Sequence, residues 1–565
     1  MLRGTTTKKW IKMEIQVKHY DYSHVYFQTD DINLTKRILL LFEAEILNKH
    51  FDPRVKSGVW DGIVRFYTIK NKTVRIPFGF VNFLKDFCNS NSIKYTDVNE
   101  FDFKEDFNKV EFDEFVYSLN LKYEPRDYQM EAAHIALRDN NGLFQLATGA
   151  GKSLTQSFIS AYLAFKKDMK VLIIVPSVSL VHQFYSDMEE YFENTSAFTI
   201  TDELHKIYAG QEKTINKKIT ISTWQSLRTN LHLIEEFDCI IVDEVQGAKN
   251  KDGILTKIMV ECATKVKYKF GFTGTIPRER INKLNLVGNF GKVNKIINAR
   301  GLIERGFGTP MDIICMFLDW PDDMRQELPN DYQREVKIVE ESPTRNRYIV
   351  DLCSKVTKKF GTTLALFSTI SHGEELVNLS VGEGRKFLPK LTKMKLERLL
   401  DEFPCTKTVL VNIEPSEKAL KQAYKVLDSR GIDKEGFFET LEDNGIFFVY
   451  GKVESLEREE IRKKVESKPN SIIFASYATF STGINIKSLS NLILCSSTKS
   501  YERLIQSLGR TIRTHSSKSK VRIFDLIDDI RSKRRDNKLF KHFLERIEMY
   551  RDEGHPIYEK THKLG

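Results

Sequence analysis

The stretch from Gly142 to Phe165, GLFQLATGAGKSLTQSFISAYLAF, decides the fold. Its first six residues, GLFQLA, form an apolar run of strand length. Its last twelve place Leu154, Phe158, Ile159, Tyr162 and Leu163 on one face of a helix. Between them lies Thr148-Gly149-Ala150-Gly151-Lys152-Ser153. A glycine-bearing loop between a strand and a helix lets backbone N–H groups close around phosphates at the helix N-terminus. Lys152 then reaches the β/γ-phosphates, and Ser153 supplies a hydroxyl to magnesium. Leu146 stands where the first glycine of GxxxxGK[ST] usually falls, yet the flanking strand and helix favour a phosphate loop over a chance Gly-rich turn.

Working outward, further apolar runs follow at strand length: KVLIIVP, ITIST, DCIIVDE and YKFGFTG. A second series, TLALFS, GIFFVYG, SIIFAS, NLILCS and KVRIFDL, begins after the irregular IINARGLIERGFGTP. Near-continuous apolar strands separated by helical stretches predict α/β units with parallel sheets covered on both faces. The run DCIIV ends in Asp243-Glu244-Val245-Gln246. At the C-terminal end of a parallel strand, Asp243 is placed to hold magnesium through water and Glu244 to polarise an attacking water. In the second series, Gln506-Ser-Leu-Gly509-Arg510-Thr-Ile-Arg513 sets two arginines three apart, a spacing that suits a γ-phosphate if the segment is helical. The competing reading is a basic surface helix.

The 565-residue length predicts three to four domains, and 41% apolar with 29% charged residues is ordinary globular composition. No apolar run approaches a membrane span, and the start, MLRGTTTKKW, has no apolar stretch, so a cytoplasmic protein without a membrane partner is expected. The seven cysteines form no CxxC pair, which argues against a disulfide framework or a zinc site. The net charge of +10 is clustered. Residues 46–90 carry eight Lys/Arg against three acids, while residues 97–114 carry eight acids against two lysines. That switch divides a small N-terminal α/β domain, residues 1–95, from an acidic connector, residues 96–119. In the first, WIKMEIQVKHY reads as strand, LTKRILLLFEAEIL as helix, and GIVRFYTIKN with KTVRIPFGF as a hairpin. The α/β units then occupy residues 120–300 and 301–530, with an insertion at about 377–444, and residues 531–565 read as a basic helical extension.

Arg54, Lys56, Trp60 and Arg65, with Lys72 and Arg75, interleave cations with an aromatic residue, as a surface gripping a nucleic-acid backbone does. The alternative is a solvated hairpin with Trp60 in its core.

The order of motifs resembles that of the superfamily 2 helicases, over about residues 123–528. Arg126, Tyr128 and Gln129 resemble the RxYQ element that reads adenine, and Thr148 to Ser153 the first motif. Pro176 and Ser177, then Thr223, Trp224 and Gln225, resemble motifs that touch the nucleic-acid strand. DEVQ resembles motif II and FTGT, with Thr273 and Thr275, motif III. Phe367, Ser368 and His372 resemble motif IV, Ser481, Thr482 and Gly483 motif V, and Gln506 to Arg513 motif VI. Gln246 stands where His or Asp is usual, and Asn485 where Asp is frequent; both positions serve to couple ATP to nucleic acid. A closer resemblance, reaching into HYDYSHV, FDPRVKSGVWDGIVRFY and RIPFGFVNFLKDFC, is to the phage recombination and fork-remodelling branch of that superfamily.

The resemblance implies two tandem RecA-like parallel-sheet domains behind the N-terminal accessory domain. ATP and magnesium sit between Lys152, Ser153, Asp243 and Glu244 on one side and Arg510 and Arg513 on the other. The expected substrate is branched DNA, whether forks, Holliday junctions, D-loops or RNA–DNA hybrids, with single-stranded and duplex DNA contacted by the motif residues. A monomer acting in a host cytoplasm beside recombination or single-strand-binding proteins is expected. The rival expectations are a duplex translocase, an RNA helicase and a nucleotide-gated DNA clamp.

Overall fold

A computed structural model describes residues 13–564 apart from 48, 99–106, 209–214, 248–251, 323–330, 381–407, 411–437, 441–444, 452–454, 482–485, 487, 497–519 and 532–536. The chain divides into two compact units, Met1–Asn298 and Ala299–Gly565.

The first unit holds two main sheets. The N-terminal sheet has five strands, in the order Thr68–Lys70, Thr73–Pro77, His24–Gln28, Glu14–His19 and Lys94–Asp97. The expected hairpin is present: Lys70 pairs with Thr73 across a two-residue turn at Asn71-Lys72, and Asn71 takes the positive φ (+56°) that such turns require. The helix expected over LTKRILLLFEAEIL ends sooner, at Leu39. After a short 3₁₀ turn, Glu43–Glu45 becomes a strand paired antiparallel with Ile63–Arg65, a distant pairing that overrides the local helical pattern. The second half of the acidic connector is helical, Lys109–Ser118, capped by the Asn108 side chain, and it buries Phe112 against Phe158 and Tyr162.

The larger sheet of this unit has seven parallel strands, ordered Leu204–Ile207, Ile219–Thr223, Val171–Val175, Cys239–Val242, Tyr268–Thr273, Asn141–Leu146 and Val293–Ile297. Val171–Val175, Ile219–Thr223, Cys239–Val242 and Tyr268–Thr273 are buried along their whole length, as a sheet covered on both faces demands.

The N-terminal sheet and this one share a core. Ile281, Leu284 and Val287 of helix Arg280–Phe290 pack with Ile15, Val25, Leu34, Phe42 and Phe80. Gly79 lies so close to that helix that a Cβ would fall 2.0 Å from the Val287 carbonyl oxygen, so no other residue fits there.

The second unit also has a seven-stranded parallel sheet, ordered Ile446–Val449, Ile472–Ser476, Thr363–Phe367, Asn491–Leu494, Val521–Asp529, Met311–Asp319 and Ile557–Lys563. Residues 531–565, expected to be helical, hold helix Lys538–Asp552 and then the edge strand Ile557–Lys563. That strand is mostly exposed, so its side chains lack the apolar alternation that announces a strand. Most of the insertion expected at 377–444 lies outside the described residues, which there include helix Ile370–Ser380 and a two-stranded pair, Thr408–Leu410 with Phe438–Thr440. With strands numbered along the chain, both seven-stranded sheets read third, fourth, second, fifth, sixth, first, seventh across. Two RecA-like units in tandem is the architecture.

Candidate nucleotide site

The strand Asn141–Leu146 and the strand Cys239–Val242 are separated in the sheet by one other, Tyr268–Thr273. Because all three are parallel, the loop Ala147–Gly151, the acids Asp243 and Glu244, and the turn Thr273–Thr275 meet at the same C-terminal edge. Gly149 and Gly151 carry φ of +87° and +77°, which only glycine adopts without strain, and Gly151 caps helix Lys152–Ala161.

The loop is fastened from behind. Gln129 donates from Nε2 to the carbonyls of Ala150 (2.9 Å) and Gly151 (3.2 Å), and its Oε1 accepts from the Arg126 N–H (2.8 Å). Tyr128 donates to the Ala150 carbonyl at 3.1 Å, and Arg126 Nη1 donates to the Tyr128 hydroxyl at 2.7 Å. Gln129 is therefore buried and committed to holding the loop, whereas the motif resemblance had it facing a base.

Lys152 Nζ lies 3.4 Å from Glu244 Oε1. Asp243 is buried and accepts from Gln156 Nε2 at 2.8 Å. Burial first, and then the neighbouring Glu244 charge, push its carboxyl up to about 6 against the opposing pull of Lys152 and Gln156. Two carboxylates thus face one ammonium. Among the described residues the buried Gln156 Oε1 has no hydrogen-bond partner, an open acceptor at the same edge. Gln156 escaped the sequence reading, although it lies one helical turn beyond Lys152 and so shares its face.

Gln246, the unusual residue of DEVQ, ties two motifs together. Its Nε2 donates to Glu244 Oε2 (2.5 Å), and its Oε1 accepts from the Thr273 hydroxyl (2.5 Å), which also accepts from the Thr275 N–H at 3.1 Å. Glu244 itself sits at φ +50°, a left-handed conformation uncommon outside glycine, closed by a bond from the Gly247 N–H to its carbonyl at 3.1 Å.

The expected strand contacts are distributed unevenly. Ser177 is exposed and caps helix Val178–Tyr191, with Pro176 half-buried before it. Thr223 is buried, its hydroxyl spent on capping helix Trp224–Leu227, and Trp224 lies against Gly247. Ser368 is exposed at the end of strand Thr363–Phe367. His372 is buried: Nδ1 meets the Ser496 hydroxyl at 3.2 Å and Nε2 meets Asn346 Oδ1 at 3.1 Å, so neither ring nitrogen is left for a phosphate. Arg54 stacks over Trp60 (4.4 Å to the ring centroid), Arg65 pairs with Asp61 and Glu43, and Lys56 is exposed; Trp60 is half-buried, its indole donating to the Ile63 carbonyl, and not a core residue. Thr482, Gly483, Asn485, Gln506, Arg510 and Arg513 lie outside the described residues.

A phosphate loop, a strand-end acid pair and two RecA-like sheets define a nucleoside triphosphatase of the helicase type. Comparison with known proteins carries this further. Residues 122–278 match the family described as type III restriction enzyme, res subunit; residues 395–515 match the helicase conserved C-terminal domain; residues 14–97 match the N-terminal domain of DNA helicase UvsW. Over 574 aligned residues the chain is 28% identical to the ATP-dependent DNA helicase uvsW of Enterobacteria phage T4, covering 98% of this chain and 100% of that protein. The crystal structure of T4 UvsW aligns over 98% of this chain and 100% of its own, with 26% identity and a TM-score of 0.44. A DNA-bound Type ISP restriction-modification enzyme, LlaBIII, shares the fold over 78% of this chain and 31% of its own at 17% identity and a TM-score of 0.50. In both units, then, the chain is similar to superfamily 2 helicases, and over its whole length to the T4 enzyme.

Proposed function

We propose that this chain is an ATP-dependent DNA helicase and branch-migration motor that acts on branched DNA in recombination, replication and repair. The observation that carries the reading is the continuous connection from Lys152 through Glu244 and Gln246 to Thr273 and Thr275. It joins the phosphate loop to the strand end that precedes helix Arg280–Phe290, the helix on which the N-terminal domain packs. The full-length likeness to the T4 helicase, including the N-terminal family match, supports branched DNA as the substrate.

In this reading Lys152 and the loop N–H groups hold the β/γ-phosphates, and Glu244 orients the attacking water. Magnesium suits the donor set: Asp243 and the Ser153 hydroxyl are hard oxygen ligands, and the two acids exceed the one ammonium by a charge. When bound, the ion would neutralise phosphate charge. Arg510 and Arg513 are the proposed contributors of the second unit to the phosphoryl group. Gln246 bonds both to Glu244 and to Thr273 and so links the acid pair to the next strand end, which favours sustained turnover over a nucleotide-gated clamp. The proposed division places the accessory domain at residues 1–95 and the two motor domains at 120–300 and 301–530. We further propose action in a host cytoplasm, as a monomer, with RNA–DNA hybrids among the substrates.

The test is ATP hydrolysis and strand separation across single-stranded, duplex, forked and RNA–DNA hybrid substrates. Stimulation confined to RNA would remove the DNA reading. Arg513→Ala is expected to cut hydrolysis by roughly 10³ to 10⁵ while nucleotide affinity falls modestly.

A further inference from the structure

The N-terminal domain carries a feature that its basic composition does not explain. Between the paired strands Glu43–Glu45 and Ile63–Arg65 the chain makes an excursion that exposes three large apolar side chains: Leu47 is 73%, Phe51 76% and Val59 80% exposed. Exposed apolar residues scattered singly need no explanation, but three in one short excursion do.

The excursion is built, not slack. Ile46 N–H bonds to the Gly62 carbonyl at 3.0 Å where the strands close. Asp52 caps the turn of helix Pro53–Lys56. The N–H groups of Val59 and Trp60 both bond to the Arg54 carbonyl, at 3.0 and 3.1 Å, and the Trp60 indole to the Ile63 carbonyl at 3.1 Å. Cations accompany the apolar groups: Lys56 Nζ is 5.7 Å from the Phe51 ring centroid, and the guanidinium of Arg54, 64% exposed, covers Trp60 while bonding to Asp52 at 3.0 and 3.2 Å, a surface pair that a phosphate can displace. Arg54, Trp60 and Arg65 also line a groove of about 800 Å³ whose other wall is Glu279, Ile281 and Asn282, at the start of the helix that follows Thr275.

We propose that Leu47, Phe51 and Val59 form an apolar wedge that enters DNA at a branch point. There they would unstack the terminal base pair while Arg54 and Lys56 hold the flanking phosphates. Apolar side chains set among cations fit a base step bounded by two phosphate backbones, and insertion of that kind opens and kinks a duplex. A protein partner is the weaker match, because protein interfaces are depleted in lysine at their core. The wedge is rigidly joined to the motor: Arg280 Nε donates to the Glu43 carbonyl at 3.0 Å and its Nη2 to the Leu40 carbonyl at 3.1 Å, and Gly79 packs backbone to backbone on the same helix. Any movement of the Thr273–Thr275 turn therefore has a stiff path to the wedge.

This inference rests on the branched-DNA reading, and the test separates the two. The full-length chain with Phe51→Ser and Val59→Ser, both exposed and thus safe for folding, is compared with wild type on a fork carrying 2-aminopurine at the branch point. Wild type is expected to raise the fluorescence on binding without ATP, and the variant to lose most of that rise. Strand separation should fall at least tenfold, with ATP hydrolysis stimulated by single strands kept within about twofold. An unchanged fluorescence rise and separation rate in the variant would overturn the wedge and leave a protein partner as the reason for the exposure. Failure of the wild type to respond to forks at all, while single strands still stimulate it, would instead overturn the branched-DNA reading.

Discussion

The two seven-stranded sheets share one strand order and differ in what they do with charge at the same edge. In the first, a cation from the helix after the first strand, Lys152, faces Asp243 and Glu244 beyond the fifth strand. In the second, a cation from the long helix after the first strand, Arg345 of Pro343–Phe360, is fully buried. Arg345 bonds to both oxygens of Asp528 at 2.8 and 2.9 Å, beside the Cys495 carbonyl at 2.7 Å, and Trp320 Nε1 adds a bond to Asp528 at 3.2 Å. Among the described residues, one edge sets two carboxylates against one ammonium, while the other closes its ion pair with an internal carboxylate; each keeps one buried polar atom without a partner, Gln156 Oε1 and Arg345 Nη1. The same topology thus carries the proposed reaction site where the acids outnumber the cation and a structural clamp where carboxylate and guanidinium pair.

The sharpest way to break this contrast is to delete each cation. Lys152→Ala is expected to lower DNA-stimulated hydrolysis by about 10³ or more, some 4 kcal/mol of transition-state stabilisation, with the thermal midpoint unchanged. A loss under tenfold would show that the first edge is not the reaction site. Arg345→Met should do the converse. It strands Asp528 in the interior and should cost roughly 3–5 kcal/mol of second-unit stability, read by denaturant melts of the full chain. Replacing Arg345 and Asp528 together with apolar residues of similar volume should recover most of that loss, because the second buried charge goes too. If Arg345→Met proves thermally silent, the clamp reading fails.

A finer cut lies within the first edge. Gln246→Ala and Thr273→Val each remove one end of the bond between motif II and motif III. Each should lower DNA-stimulated turnover by about ten- to a hundredfold, the worth of one buried hydrogen bond with a partner left unpaired. Joined in one chain the two changes should cost little more than either alone, since they break the same link. Fully additive losses would mean that Gln246 and Thr273 act separately.

What the sequence disclosed follows the same division. Strand runs such as VLIIV and CIIV are buried on both faces, so their composition alone announced a parallel sheet, and the glycines of the phosphate loop are forced by positive φ. The links were not legible. Gln129 bonding to loop carbonyls, Gln246 bridging Glu244 to Thr273, and Arg345 reaching Asp528 across 183 residues depend on strand order, which no local pattern encodes. The strands Leu204–Ile207 and Ile557–Lys563 escaped because edge strands carry polar residues that hide their period. Leu47, Phe51 and Val59 were read past because an apolar residue in a sequence is expected inside, and only coordinates show it outside.

The smallest effect concerns a third way of treating a buried cation. Lys269, on the strand beside the phosphate-loop strand, is buried and donates to the Tyr22 carbonyl (2.8 Å), the Ser23 hydroxyl (2.7 Å) and the Met259 carbonyl (3.2 Å), joining the N-terminal domain to the sheet. Among the described residues no carboxylate bonds to it; Asp21 acts only at a distance, itself paired with His24, and Lys267 and Asp139 line the small cavity alongside. Desolvation pulls the Lys269 ammonium down to about 7 from an unfolded value near 10.5. Between those values the unfolded chain binds the proton and the folded chain does not, so stability rises with pH across that window; below pH 7 the burial penalty is present in full. Between pH 7 and 9 the gain should be on the order of 2 kcal/mol. Hydrogen exchange at the amides of residues 20–24 and 259–263 reads the opening of this junction in the intact chain. Wild type is expected to gain protection there, beyond the intrinsic change in exchange rate, as pH rises from 7 to 9. Lys269→Met should show no such gain, and since other titrating groups are common to both proteins, the difference isolates this one ammonium. Equal slopes in the two would mean that Lys269 keeps its proton on the strength of its three acceptors, and that the junction, like the Arg345 clamp and unlike the Lys152 edge, holds its charge closed.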